Sequence, residues 1–214
     1  MIKKYLKTLI ITSIMDLSPI IIGIILWDRL PDKIATHFGV DNTPDGWSSK
    51  AVAVFGLPLV IFALEWICML ATKLDPKYRN IDDSVMMKIV LWMMPCLSIM
   101  MSTITYTYAL GKEIKVGFIV LLFMGALFVV MGNYLPKCKQ SYTMGITLPW
   151  SLSSEENCNK TLRLAVILWV GAGAIMMLTA FFENVFIMLS IVFIAVIIPT
   201  VYSYTLFAKD NKNK

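Results

Sequence analysis

Charge in this chain is confined to short stretches, and between them lie six apolar runs of roughly 20 residues each. An α-helix rises about 1.5 Å per residue, so each run can cross about 30 Å of hydrocarbon. The runs are, to within a few residues, Leu6–Trp27, Ala51–Ala71, Met86–Leu110, Val116–Tyr134, Leu164–Phe182 and Val185–Phe207. Charged residues make up 15% of the 214, against about a quarter in soluble domains, which excludes a large soluble domain. The chain reads as an all-α integral membrane protein with six transmembrane helices, residues 1–214 forming a single membrane domain. Its first segment carries Lys3, Lys4 and Lys7 ahead of an apolar run, in the manner of a secretory signal. That run exceeds the ~7–15 residues of a signal core and no small-x-small cleavage motif follows it, so it reads as a retained first span.

Lysine and arginine in the connecting segments set the orientation. With the N-terminus cytoplasmic, fourteen basic residues lie inside and five (Arg29, Lys33, Lys50, Lys112 and Lys115) lie outside. Both termini are therefore expected in the cytoplasm. Residues 28–50 become a structured extracellular loop, residues 135–163 a structured cytoplasmic loop, and the last two spans a tight hairpin turning near Glu183 and Asn184. The net charge of +5 reports this topology and implies no direct contact with nucleic acid.

The outer segment, "DRLPDKIATHFGVDNTPDGWSSK", holds the chain's one histidine, His37, with Asp28, Asp32, Asp41 and Asp45. "TPDG" at 43–46 is a turn signal, because proline presets one torsion and Asp-Gly closes the bend. Oxygen-rich acidic loops suit hard cations, but the spacing fits no EF-hand and a single histidine makes a poor zinc site. The alternative is a compact polar cap with Phe38 and Trp47 at the membrane interface. Cys68 and Cys96 lie inside apolar runs, while Cys138 and Cys158 lack ligand spacing, so no metal or other cofactor is expected.

Two acids fall inside spans. Asp16 lies midway along the first, close to Pro19, and Glu65 lies in the second. A carboxylate in hydrocarbon costs at least a few kcal/mol, so each must face another helix or water. Neighbouring hydroxyls such as Thr12, Ser13, Ser18, Ser102 and Thr103 offer structural partners; a relay or transport pathway is the functional reading. Pro19, Pro58 and Pro95 are expected to open their helices locally, and "WVGAGA" at 169–174 offers small residues for close packing. On the other face, "SLSSEEN" reads as a helix N-cap, with Ser153 or Ser154 ahead of Glu155 and Glu156, and Trp150 lies at the interface.

The two loops together resemble a known family. "LPDKIATHFGVDNTPDGWSSK" resembles the first signature of the bacterial SdpI family, membrane immunity proteins against the sporulation-delaying-protein toxin. "GNYLPKCKQSYTMGITLPWSLSSEENCNKT" resembles its second signature. Carried over by position, the first signature falls on Leu30, Pro31, Ile34, His37, Phe38, Gly39, Pro44, Asp45 and Lys50. The second falls on Gly132, Asn133, Pro136, Lys137, Tyr142, Gly145, Ile146, Pro149, Trp150, Leu152, Lys160, Thr161 and Arg163. Thr147-Leu148 stand where the family has Arg-Thr, and Cys158 and Leu162 where it has Trp and His. These exchanges remove an anion-binding and a proton-handling group.

The resemblance implies protection against a secreted membrane-active toxin peptide and, in some members, capture of a cognate cytoplasmic transcriptional repressor. On that reading the chain is a binding and signalling protein with toxin, repressor and lipid bilayer as partners. A small transporter is the first alternative, with Asp16 and Glu65 as its discriminating residues. A membrane enzyme is the second, using His37 with Asp41 or Asp45, or Cys138. The chain has no G-x-S-x-G or H-E-x-x-H motif and no P-loop, which disfavours catalysis and excludes ATP-driven export by this chain alone.

Overall fold

The computed structural model describes residues 2–76, 84–137, 142–143 and 146–212. Six helices among them are long and apolar enough to cross a membrane. They fall into two compact units, Met1–Leu70 with Lys88–Gly117, and Ala71–Met87 with Phe118–Lys214.

The first unit opens with α1 (Ile2–Ile25), which carries Pro19 in its interior. Proline has no N–H, so the carbonyl of Met15 loses its usual donor. The Ser18 hydroxyl takes that role, donating to Met15 O at 2.7 Å. A 3-10 turn (Trp27–Arg29) leads into the strands β1 (Lys33–Phe38) and β2 (Pro44–Ser49), which pair antiparallel. A π-helical turn (Val52–Gly56) then starts the second span and α2 (Leu57–Leu74) continues it; α3 (Ser84–Ala109) joins the unit from Lys88. The hairpin is seated on a core of Leu30, Ile34, Ala53, Val54 and Tyr106.

The hairpin revises two expectations. Residues 33–38 and 44–49 are β-paired, so the fold is helical except for this element, and "TPDG" is not the turn. The bend is Gly39–Thr43, with Asn42 in the left-handed region at φ 62° and Gly39 N–H donating to Thr43 O at 2.8 Å. Asp41 decides the position: its Oδ1 accepts from the Thr43 N–H (3.1 Å) and hydroxyl (2.7 Å). This Asx arrangement bends the chain two residues early. Pro44 is left at the first residue of a strand, one of the few strand positions that tolerate it. Pro58 follows directly on the π-helical turn, so the local opening expected of the second span falls just ahead of its proline.

The second unit holds α4 (Val116–Tyr134, from Phe118), a 3-10 turn (Leu135–Lys137), the short α5 (Pro149–Ser153), α6 (Glu155–Thr179) and α7 (Val185–Lys212). The helix of the fifth span begins at Glu155, ahead of the apolar run that starts at Leu164, where the "SLSSEEN" cap signal puts it. Ser154 caps it, accepting from Asn157 N–H at 3.3 Å. Helices α4 and α6 approach closely through glycine: a Cβ on Gly173 would stand 2.4 Å from Gly125 O. Of the "WVGAGA" glycines, Gly173 makes the contact, while Gly171 faces open space. The turn between α6 and α7 falls where the sequence puts it, with Glu183 at φ 50° and Asn184 Oδ1 accepting from Phe186 N–H at 2.9 Å. Pro199 lies inside α7, an interior proline the reading of the spans passed over.

Candidate functional site

The first unit brings Asp16 and Glu65 together. Both are fully buried, and their carboxyls are electrostatic neighbours. Glu65 Oε2 accepts from the Ser13 hydroxyl at 2.7 Å, and Ser13 Oγ in turn accepts from Trp66 Nε1 at 3.1 Å. Glu65 Oε1 and both oxygens of Asp16 meet no donor in hydrogen-bond geometry. Three hydroxyl residues of α3 run alongside at helical spacing. Ser98 Oγ donates to Asp16 O at 2.8 Å and the Tyr106 hydroxyl to Pro19 O at 3.1 Å. Ser102, between them, is buried beside Tyr106 without meeting hydrogen-bond geometry. It lines a groove of about 380 Å³ with Ser18, Pro19, Ile99, Thr103 and Thr107. Ser13 is among the hydroxyls the sequence offered as partners for the acids, whereas Trp66 and Ser98 were not singled out.

The residues of the outer signature divide into two groups. Leu30 and Ile34 are core, Phe38 packs edge-on against Tyr108 at 5.2 Å, and Lys50 donates to Trp27 O at 3.1 Å. Gly39 is small because the Asp41 and Asp45 carboxylates lie 3.0 and 3.3 Å from where its Cβ would be. Pro44 opens β2. These residues build the hairpin. His37 and Asp45 do not: their side chains are 73% and 53% exposed, and they contact each other through Nδ1 and Oδ1. Among the described residues no three His, Cys, Asp or Glu side chains converge as a metal-ligand group. At the tip, the Thr43 hydroxyl, and after it the Thr43 N–H, hold the Asp41 carboxyl below its usual range.

The inner signature is built into the second unit in the same mixed way. Asp75 Oδ2 accepts from the Tyr142 and Thr143 N–H groups at 2.8 and 3.0 Å and from the Thr143 hydroxyl at 2.9 Å. Gly132 is small because a Cβ there would stand 2.9 Å from the Trp169 Cβ. Trp150 packs edge-on against Tyr204 at 5.5 Å, and Pro149 starts α5. Thr161 donates to Asn157 Oδ1 at 3.1 Å, Ser203 donates to the same oxygen at 2.7 Å, and Asn157 Nδ2 donates to Ser203 O at 2.9 Å. Asn157 and Ser203 were not singled out in the sequence; the four-residue spacing of Asn157 and Thr161 was the available signal. Asn133, Pro136, Lys160 and Arg163 are exposed, Lys160 pairing with Glu156 at 2.7 Å. Cys158 and Leu162 are buried, so where the family carries Trp and His this unit has compact core residues. Gly145, Cys138 and the side chain of Lys137 lie outside the described residues.

Residues 14–62, which include Asp16 and the whole hairpin, match a domain of unknown function (DUF1648). Residues 137–203, which include the Asn157–Thr161–Ser203 cluster, match the SdpI/YfhL protein family. Over 219 positions the chain is 27% identical to the immunity protein SdpI of Bacillus subtilis (strain 168), an alignment covering 99% of this chain and 100% of that protein. The chain is similar to SdpI along its whole length. No solved structure matches it. With six apolar helices, this SdpI relative is a multi-pass membrane protein.

Proposed function

We propose that the chain is a membrane immunity protein that protects its cell from a secreted membrane-active peptide. The observation that carries this reading is the end-to-end similarity to the SdpI immunity protein, with neither chain leaving a substantial part unaligned. The distribution of basic residues supports both termini in the cytoplasm, which turns the hairpin outward and residues 135–163 inward. The hairpin has the features of a toxin contact. Its inward-facing residues fix a rigid platform, while His37, Asp45 and Trp47, the last 55% exposed, remain uncommitted to the core. Aromatic residues on a rigid surface are common binding anchors. A signalling role through a cytoplasmic repressor is the finer reading, supported by the exposed Asn133, Lys160 and Arg163 in the segment that the basic residues assign to the cytoplasm.

Expression in a toxin-sensitive bacterium, challenged with a panel of membrane-active peptides, tests this. Raised survival against at least one peptide is expected, with Trp47→Ala weakening it and His37→Ala leaving most of it. Membrane-inserted protein that protects against none of the panel sinks the reading. The buried acid pair favours one second reading, a proton-coupled carrier, since intramembrane acids mark ion pathways. A carrier loses all protection in both Asp16→Asn and Glu65→Gln, whereas a receptor with an intact hairpin keeps it.

A further inference from the structure

We propose that Asp16 and Glu65 form a binding site for one proton inside the membrane, carried on Asp16 and donated to Glu65 Oε1. Each carboxyl is fully buried, and neither has an ion-pair partner among the described residues. From α3 the Ser98 hydroxyl meets the Asp16 backbone carbonyl, with Ser102 and Tyr106 following at four-residue spacing; from α1 and α2 the Ser13 hydroxyl meets Glu65 and the Trp66 indole N–H meets Ser13. None of these groups brings a positive charge.

The donor count assigns the proton. Glu65 Oε2 already accepts from Ser13, whose own oxygen is held by Trp66, so Glu65 is arranged as an acceptor. The Asp16 carboxyl is given no donor at all, and the Ser98 hydroxyl is spent on the Asp16 backbone carbonyl. An O–H on Asp16 aimed at Glu65 Oε1 supplies a donor to one orphaned oxygen and converts another from acceptor to donor. A buried oxygen left unpaired loses its hydration without compensation, so this arrangement is favoured over two bare carboxylates. The exchange route assigned to this proton runs past Ser102, whose buried, unpartnered hydroxyl lines a groove of about 380 Å³ and lies one helical turn from Ser98, the donor to the Asp16 backbone carbonyl.

Infrared difference spectroscopy of the full chain in lipid tests the site directly. At neutral pH a protonated-carboxyl C=O stretching band is expected, sensitive to deuterium. Asp16→Asn removes it, and Glu65→Gln shifts its frequency because the acceptor changes from carboxylate to amide. Ser102→Val leaves the band in place and slows its exchange in deuterated water. Circular dichroism of each variant checks that the helices persist. Absence of the band at neutral pH overturns the proposal, as does a band that survives Asp16→Asn. Loss of the wild-type band on adding sodium or potassium overturns it in favour of a metal cation. Because no toxin enters this measurement, its outcome is separate from that of the protection assay.

Discussion

Each unit buries a polar cluster between its apolar helices, and these two are finished differently. In the second unit Asn157, Thr161 and Ser203 form a closed set: Asn157 donates to Ser203 O and accepts from two hydroxyls. In the first unit the Ser13–Glu65–Asp16 cluster is open, with three carboxyl oxygens lacking a donor. A closed cluster fastens helices and has nothing left to bind. An open one holds a reserve of hydrogen-bonding capacity that something else must fill. The difference separates a structural contact from a site, although both consist of polar residues in apolar helices.

The largest effect is expected where the closed cluster's own helix is packed. Gly173→Ala would drive a Cβ against the Gly125 carbonyl and the Val129 N–H, backbone atoms that cannot turn aside. Overpacking of this kind costs about 2–3 kcal/mol, and thermal unfolding in detergent should report a lower midpoint. Next comes the closed cluster itself: Asn157→Leu strands two hydroxyls and should cost about 1–2 kcal/mol in the same measurement. The matching change in the open cluster should behave differently. Asp16→Asn supplies an N–H donor to Glu65 and should leave stability within about 0.5 kcal/mol of the parent. Equal losses at Asn157 and Asp16 would erase the distinction between the clusters.

The smallest effect lies at the hairpin tip. The Thr43 hydroxyl and then its N–H lower the Asp41 carboxyl, so the folded form holds the ionised state more firmly than the unfolded form does. The resulting stabilisation is fully present above the usual carboxylate range and is lost as pH falls through the lowered value. The Thr43 amide resonance should move in that acid window in the parent chain and not in Asp41→Asn.

The spans were legible because hydropathy over some 20 residues averages out local detail. Val116–Tyr134 agrees with the helix end for end, and the Glu183–Asn184 turn falls in place. What escaped the sequence depended on pairing at a distance. "KIATHF" is too short to declare itself a strand, and the competition between Asp41 and Pro44 for the bend is settled by one side chain. The start of α6 was legible in the cap signal of Ser154 with Glu155 and Glu156, although Glu155–Arg163 is polar and the apolar run marks only the part of the helix in hydrocarbon. At the candidate site, the sequence supplied the two acids but not their meeting. That required Ser13, Trp66 and Ser98, each ordinary alone.

Ser18 and Pro19 have a consequence for how this chain can change over generations. The proline withdraws a backbone donor and the neighbouring hydroxyl replaces it, so Met15's carbonyl is provided for within two adjacent codons. Ser18→Ala alone would strand that carbonyl in hydrocarbon, whereas Pro19→Ala first would restore the N–H and release the serine. The two positions therefore have a permitted order of exchange: the proline can be surrendered before the serine, and the serine cannot be surrendered before the proline.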